Sequence, residues 1–147
     1  MVKDKLLIFD DDLALSTLSV ATVLSTYVCD LTGGVAKDAW GTVIALPKPG
    51  RGGNLWFNFI VTATAASSGS GTLNAVLSTG AVNTLATTLW SSGVLAAATL
   101  VAGYKYAFTV PEACLRWIGM QWIVGTNVFQ SGTVLACLST SPIDWTE

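Results

Sequence analysis

The chain has 147 residues, of which 52% are hydrophobic and only 11% are charged, with a formal net charge of -2. This length supports one domain with a single core that needs neither a disulfide framework nor a structural metal. The slightly acidic balance excludes the basic surface that a nucleic-acid partner requires. The longest apolar run, residues 94–102, is too short for a membrane-spanning helix, and no membrane partner is expected.

Residues 1–18 are predicted to form a short N-terminal arm or a first strand. Leu6–Phe9 is a short apolar run between charged residues, and Asp10–Asp12 follows it directly. The three carboxylates lack the spacing and the glycine of a calcium-binding EF-hand loop. We interpret them as a solvated turn or as the N-terminal cap of a short helix near Leu13. The start of the chain also lacks the apolar core of a signal peptide, which predicts assembly in the cytoplasm.

The next segment contains two short strands and the clearest loop of the chain. Val20–Leu31 and Thr42–Leu46 are predicted strands. Pro47–Gly53, with the sequence PKPGRGG, has no hydrophobic residue and carries the two cations Lys48 and Arg51. Its glycines do not have the spacing of a phosphate-binding loop. It is interpreted either as a plain exposed turn or as an extended loop that contacts an acidic partner surface through its cations.

Four stretches alternate between apolar and polar residues strongly enough to predict two β-hairpins. Asn54–Thr64 and Thr72–Thr79 flank the Ser/Gly turn SSGSG, and two runs within Leu115–Ser139 flank a polar loop. In the last stretch the apolar face is formed by Ile118, Met120, Trp122 and Val124. A hairpin this apolar requires a facing sheet.

The region between these hairpins adds further strand signals. Tyr104–Val110 alternates clearly and predicts a strand, and Leu85–Trp90 predicts another. Val94–Val101 is rich in alanine, which suits a helix, but its length and the flanking Gly93 and Gly103 also suit an edge strand or a loop. Together the segments predict an all-β chain, with a single domain over residues 1–147. The expected architecture is a jelly-roll-like β-sandwich of about eight to ten antiparallel strands with a short N-terminal arm.

No group of residues has the pattern of a catalytic or metal site. The chain has no histidine, which removes the common nucleophile–histidine arrangements and the commonest zinc ligand. Only Glu112, Asp144 and Glu147 supply acids after Asp38, whereas glycosidase chemistry requires two facing carboxylates. The three cysteines show no metal-type spacing and are expected to be reduced core residues. We therefore expect no enzyme activity, no cofactor and no bound metal.

The low charge of the second half of the chain has two interpretations. Between Arg51 and Asp144 the only charged residues are Lys105, Glu112 and Arg116. The surface there is either an ordinary neutral β surface or one that other chains cover, and the high mean hydropathy favours the second.

Six tryptophans are the remaining candidates for a binding role. Trp122 lies on the apolar face of its strand and is expected in the core. Trp56 and Trp117 fall on the opposite faces of their strands. Packing in the core or at a subunit interface is the expected role for both, ahead of a sugar-stacking platform.

Several segments, taken in order, resemble the capsid cement (decoration) proteins of tailed phages. They are DKLLIFDDDLAL, VCDL, KDAWG, WFNFIVTATAASSGSGTLNAVLSTG, LVAGYKYAFTVPE and LRWIGMQWIVGTNVFQSGTVLACL. The resemblance spans nearly the whole chain, although the KDAWG segment and the longer PKPGRGG loop depart from the family pattern. It implies a jelly-roll-like sandwich that forms trimers on the outer capsid, between capsomers of the major capsid protein, and that stabilises the expanded shell.

The resulting prediction is a structural virion protein, a homotrimer on the outer capsid surface, whose partners are itself and the major capsid protein. Trp56 and Trp117 are the predicted trimer-interface residues. An alternative is a carbohydrate-binding jelly-roll module of a phage fibre or a secreted system, which requires at least two exposed tryptophans in a groove. The predicted capsid contacts are Val2, Lys3, Lys5, Leu7, Phe9, Lys48 and Arg51.

Overall fold

The computed structural model of the chain describes residues 8–31, 35–37, 43–45, 55–111 and 114–139. Helical structure in this part of the chain consists of 3₁₀ turns at Leu15–Thr17 and Ala97–Thr99, and neither is long enough to cross a membrane. Twelve strands make up the regular structure of the described residues: β1 (Ile8–Ala14), β2 (Thr22–Leu24), β3 (Cys29–Asp30), β4 (Val35–Lys37), β5 (Val43–Ala45), β6 (Trp56–Ser67), β7 (Thr72–Gly80), β8 (Thr87–Ser91), β9 (Leu95–Ala96), β10 (Lys105–Thr109), β11 (Trp117–Gly125) and β12 (Phe129–Ser139).

Ten of these strands form two antiparallel sheets, and β4 and β5 pair separately. The first sheet has the order β1-β12-β6-β10. In the second sheet, β11 and β7 are the two central strands and pair with each other. The other side of β11 pairs with β2 and β3, and the other side of β7 pairs with β8 and β9. Each sheet is therefore four positions wide, and the chain passes repeatedly from one sheet to the other. This order is that of a jelly roll, so the predicted fold class is confirmed.

The two predicted hairpins are wrong, although their four strands exist. β6 lies in the first sheet and β7 in the second, and β11 and β12 are likewise divided between the sheets. β6 pairs with β12 and β10, whereas β7 pairs with β11. A strand buries one face both when the next strand of the chain pairs with it in the same sheet and when that strand lies in the facing sheet. Alternation therefore identifies the buried face but does not distinguish a hairpin from a connection between two sheets.

The core lies between the sheets, around Trp122. The Trp122 side chain is fully buried, and its ring centroid lies 5.9 Å from that of Phe59 on the facing sheet. Ile118, Met120 and Val124 from the same strand are buried beside it, which confirms the predicted apolar face. Complete burial of each such side chain contributes about 1.5 to 3 kcal/mol relative to exposure.

Asp10 is the buried polar partner of this core. Its carboxylate is 2% exposed. Oδ2 accepts a hydrogen bond from Trp122 Nε1 at 2.7 Å, and Oδ1 accepts one from the Thr26 backbone N–H at 3.0 Å. A buried carboxylate is tolerated because donors satisfy both of its oxygens. The bond to Trp122 joins β1 in the first sheet to β11 in the second.

The interpretation of Asp10–Asp12 as a turn or helix cap is wrong, because these residues belong to β1. The register between β1 and β12 shifts between Ile8 and Asp10, and again between Asp10 and Leu13. Phe9 belongs to the core, and Asp10 also reaches inward, since its partner is the buried Trp122. Such irregularities change the direction of individual side chains. Because they break the alternation of a regular strand, a two-residue sequence pattern does not predict them.

Three other strand predictions require correction. Val20–Leu31 contains β2 and β3, interrupted at Ser25, whose hydroxyl accepts from Met120 N–H at 3.1 Å and donates to Tyr27 O at 2.8 Å. The strand predicted from Leu85 begins at Thr87 instead. The ambiguous 94–101 stretch is the two-residue strand β9 followed by a 3₁₀ turn.

Leu85 is instead a buried loop residue with a positive φ of 52°. It covers the outer face of β11 at Gly119, where a Cβ atom would lie 2.7 Å from Leu85 Cδ1. Glycine at this strand position thus makes room for an apolar side chain from the β7–β8 connection.

The outer face of the first sheet is also partly apolar. Ile8, Ile60, Leu135 and Cys137 form a second buried cluster there, separate from the main core. None of the three cysteines forms a disulfide: Cys29 and Cys137 are buried and Cys114 is half-buried.

The Asp10–Trp122 bond predicts a large effect of removing the carboxylate. Asp10→Ala leaves the buried Trp122 Nε1–H and the partly buried Thr26 N–H without acceptors, and should lower the free energy of unfolding by about 2 to 5 kcal/mol. Asp11→Ala, at an exposed neighbour in the same strand, should cost less than about 1 kcal/mol. Urea unfolding followed by tryptophan fluorescence measures both, and equal losses would contradict the role assigned to Asp10.

Candidate functional site

The sandwich has two ends that differ in composition. The first, here called the Trp117 end, carries the starts of β6 and β11, where Trp56 is paired with Thr109 and Ser139, and Trp117 with Gly80 and Asp30. The opposite end, here called the turn end, is formed by residues 15–21, 66–71, 96–103 and 125–131. Because consecutive strands run in opposite directions, connections alternate between these ends.

Six of the predicted capsid contacts lie outside the described residues: Val2, Lys3, Lys5, Leu7, Lys48 and Arg51. The described residues next to them in the chain, Ile8 and Leu55, both lie at the Trp117 end, since Ile8 is paired with Cys137 and Leu55 precedes Trp56. The seventh, Phe9, is fully buried in the main core. Its side chain is not available to another protein, so Phe9 is a core residue and not a surface contact.

Trp56 and Trp117, the predicted trimer-interface residues, are half-buried and belong to different sheets. The Arg116 guanidinium carbon lies 5.2 Å from the centre of the Trp117 ring. Arg116 also binds Asp30 through two bonds, Nε to Oδ1 at 3.0 Å and a terminal nitrogen to Oδ2 at 2.8 Å. The hydrogen bonds to Asp30 raise the pKa of Arg116. Trp117 is thus partly covered by a cation of its own chain.

The turn end is a continuous surface, because its four segments are hydrogen-bonded to one another. The first segment is joined to the fourth just before β2, and the second segment is joined to both the third and the fourth. The bonds are Val124 N–H to Ala21 O at 3.0 Å, Ser67 Oγ to Val128 O at 3.1 Å, Ala97 N–H to Gly71 O at 3.1 Å and Ala65 N–H to Leu100 O at 2.8 Å.

The turn end contains no charged residue in any of its four segments. Its exposed residues are mostly serine, threonine, alanine and glycine. Three valines are also strongly exposed there: Val20 is 51% exposed, Val101 46% and Val128 46%. Charged residues are depleted at the centres of protein–protein contacts, so an uncharged surface of this kind is compatible with such a contact.

The sequence showed that charge was scarce but not where the uncharged residues meet. The four segments of the turn end are separated by up to about a hundred residues in the chain. Only the order of strands in the two sheets brings them together. The feature of the sequence that could have indicated this surface is that all four segments are uncharged and rich in small residues.

A row of aromatic side chains fills the gap between the sheet edges at β8 and β10. The Trp90 ring lies 5.1 Å from Tyr106, 5.2 Å from Phe108 and 5.6 Å from Phe57, measured between ring centroids. Three of the four rings are half-buried, and Phe57 is fully buried. The four tryptophans of the described residues are therefore all at least half-buried, and none offers the open ring face that the carbohydrate-binding alternative requires.

No three of the cysteine, aspartate and glutamate side chains in the described residues come together in a way that could hold a metal ion. Burial raises the pKa of the Cys114 thiol, and its hydrogen bond with Thr79 lowers it by a smaller amount. Cys114 is thus mostly a protonated, weakly nucleophilic thiol at neutral pH.

Tyr104 gives a pH-dependent test of the aromatic row. Its hydroxyl donates to Tyr106 Oη at 2.9 Å, and this bond, with burial and the neighbouring phenol, raises the pKa of Tyr104 from 10.0 to about 12. The raised pKa stabilises the fold fully below pH 10, and this contribution is lost as the pH rises from 10 to about 12.

We therefore expect the free energy of unfolding to fall over this pH range in the native chain, and to fall less in Tyr104→Phe. Spectrophotometric titration should show one of the three tyrosines ionising last, and that step should vanish in the variant. A late step that persists in Tyr104→Phe would contradict the assignment.

Comparison with known proteins relates the chain to one family. The family model described as Bbp16 matches residues 14–138, which include β2 to β11 and nearly all of β12. No curated protein matches the chain. The family name is associated with phage and virion proteins. With a match over most of its length, this jelly-roll chain belongs to the Bbp16 family and is a phage-related protein.

Proposed function

We propose that the chain is a capsid cement protein, which binds the outer surface of the phage shell and stabilises the expanded form by bridging neighbouring capsomers. The observation that carries the proposal is the match of this jelly-roll chain, over most of its length, to a phage-related family. Its partners are the major capsid protein and further copies of itself, and its location is the exterior of the virion.

The mechanism is a shift of equilibrium by binding. A protein that binds the expanded shell, but not the loosened one, stabilises the expanded shell by the free energy of binding. A copy that has bound one capsomer meets the neighbouring capsomer at a high effective concentration. Bridging two capsomers therefore increases the overall binding affinity beyond that of either contact alone. No catalytic group takes part, and binding energy is the only source of stabilisation.

The two ends of the sandwich suit two different contacts. The charged segments that flank the described residues, with Lys3, Lys5, Lys48 and Arg51, join the chain at the Trp117 end. These cations are the proposed contacts with acidic groups of the shell. The neutral turn end is left for a contact that does not depend on charge.

A carbohydrate-binding module is the second candidate, and the structure favours it less. Trp90 packs against other rings of the same chain, and Arg116 lies over the Trp117 ring, so these two half-buried tryptophans supply little open stacking surface. A glycan added to the protein should therefore leave its tryptophan fluorescence, and its quenching by iodide, unchanged. A saturable change with glycan concentration would favour the carbohydrate reading.

The decisive experiment is co-sedimentation of the purified chain with expanded and with unexpanded phage shells. We expect the chain to pellet with expanded shells up to a fixed number of copies, and to raise the temperature at which those shells release their contents. A chain that stays in the supernatant with both shells would exclude the cement function.

Charge reversal in the PKPGRGG loop tests the contact at the Trp117 end. Lys48→Glu combined with Arg51→Glu replaces attraction to acidic shell groups by repulsion, and should weaken shell binding at least about tenfold at low salt. Lys105→Glu, at an exposed position on β10, is the control and should bind normally. All variants should unfold at the same urea concentration as the parent, and unchanged shell occupancy in the double variant would discard this contact.

A further inference from the structure

We infer that residues 140–147, which lie outside the described residues, fold back over the outer face of the first sheet and cover part of it. The part concerned, here called the covered patch, is the half of that face toward the Trp117 end, formed by Ile8, Asn58, Ile60, Leu135 and Cys137. This contact within one chain goes beyond the proposed function, because it exists whether or not the chain binds a shell.

The covered patch is buried although it faces away from the main core. Alternation along β12 places Ala136 and Leu138 in the main core and directs Leu135 and Cys137 to the opposite face. Leu135 is 1% exposed, Ile60 4% and Cys137 5%. Neighbours in the same sheet stand beside such a side chain and leave the space above it open. A further segment must therefore lie over this patch.

The exposure of the surrounding residues limits where the covering segment lies. On the same face toward the turn end, Thr62 is exposed and Thr133 is only half-buried. The outward residues of the edge strand β10 are all exposed. The cover therefore lies over β1, β12 and β6 near the Trp117 end. These are the strands at which the chain enters or leaves the described residues at this end, next to Ile8, Leu55 and Ser139.

Two of the segments that adjoin these strands are poorly suited to this position. Residues 46–54 consist mainly of the PKPGRGG loop, which has no hydrophobic residue. Residues 1–7 would have to reverse their direction at Leu6 and Leu7, directly before Ile8, where the chain has no glycine or proline to make a turn. The β4–β5 pair is a more distant candidate, since it contacts β3 in the second sheet.

Residues 140–147 have the pattern that the covered patch requires. Thr140, Ser141 and Pro142 are residues that favour a turn directly after β12. Ile143 and Trp145 then alternate with polar residues, so that both apolar side chains share one face. Eight extended residues reach roughly 26 Å, whereas Leu135 lies about 13 Å back along β12 from Ser139. The segment is therefore long enough to place both apolar side chains over the patch.

The charges of the two surfaces are also complementary. Residues 140–147 carry Asp144 and Glu147 and no cation. Lys105 is the only basic residue in the four strands of the first sheet. It is paired with Ile60, so it stands at the border of the covered patch, while the exposed carboxylates of β1 lie further toward the turn end. Attraction to Lys105 favours the same placement of the segment.

The test uses Cys137 as a reporter, because a thiol under a cover reacts slowly. The full chain is treated with iodoacetamide under native conditions, and mass spectrometry of its peptides gives the alkylation rate of each cysteine. Ile143→Ser combined with Trp145→Ser should raise the rate at Cys137 at least about tenfold, since the cover is released. The rate at Cys29, which lies in the main core, should not change, and this shows that the sandwich remains folded.

Three variants serve as controls. Thr146→Ala changes the opposite face of the segment and should leave Cys137 protected. Leu6→Ser combined with Leu7→Ser tests residues 1–7 as the cover, and Trp40→Ser tests the β4–β5 connection. Both should also leave Cys137 protected. If Cys29 and Cys137 accelerate together in the Ile143/Trp145 variant, the milder Ile143→Ala is compared in the same way, and a selective rise at Cys137 is again the expected result.

Four outcomes would overturn the inference: an unchanged rate at Cys137 in the Ile143/Trp145 variant, a rise at Cys137 that is never selective over Cys29, deprotection by the Leu6/Leu7 or Trp40 substitutions instead, or protection of the parent that weakens on dilution. The last result would assign the cover to a second copy. All rates are measured without shells. A parent that protects Cys137 but does not pellet with shells would therefore exclude the cement function and leave this inference standing.

Discussion

The hydrogen bond between Asp10 and Trp122 is the contact on which the joining of the two sheets depends. It lies in the core, spans the sandwich, and couples the first strand of the chain to one of the last. Burial of Trp122 requires an acceptor for its N–H, since an unpaired buried donor costs about 1 to 3 kcal/mol, more than the net contribution of the bond. Asp10 could not be buried without donors, so each residue requires the other.

This constraint accounts for the irregular shape of β1. A regular strand would send Phe9 and Asp10 to opposite faces of the first sheet. The register shift after Ile8 lets Phe9 join the core while Asp10 also reaches inward. Two further carboxylates, Asp11 and Asp12, remain exposed. Three consecutive residues of one type thus have different environments, and the core decides which of them is buried.

The order of the strands gives the molecule a chemical polarity. Because connections alternate between the ends of a jelly roll, the neutral ones collect at the turn end and the charge-bearing ones join at the Trp117 end. One end is then suited to contacts that ignore salt and the other to contacts that depend on charge.

The sequence by itself determined the β class, the positions of most strands and the buried face of β11. These follow from local rules, since alternation along a strand records which side chains face away from water. It did not determine that successive strands face each other across the core, that Phe9 and Asp10 are buried, or that the uncharged connections meet at one end. Those features were decided by the tertiary structure, because each arises from contacts between residues far apart in the chain, and such contacts leave no periodic trace in the sequence.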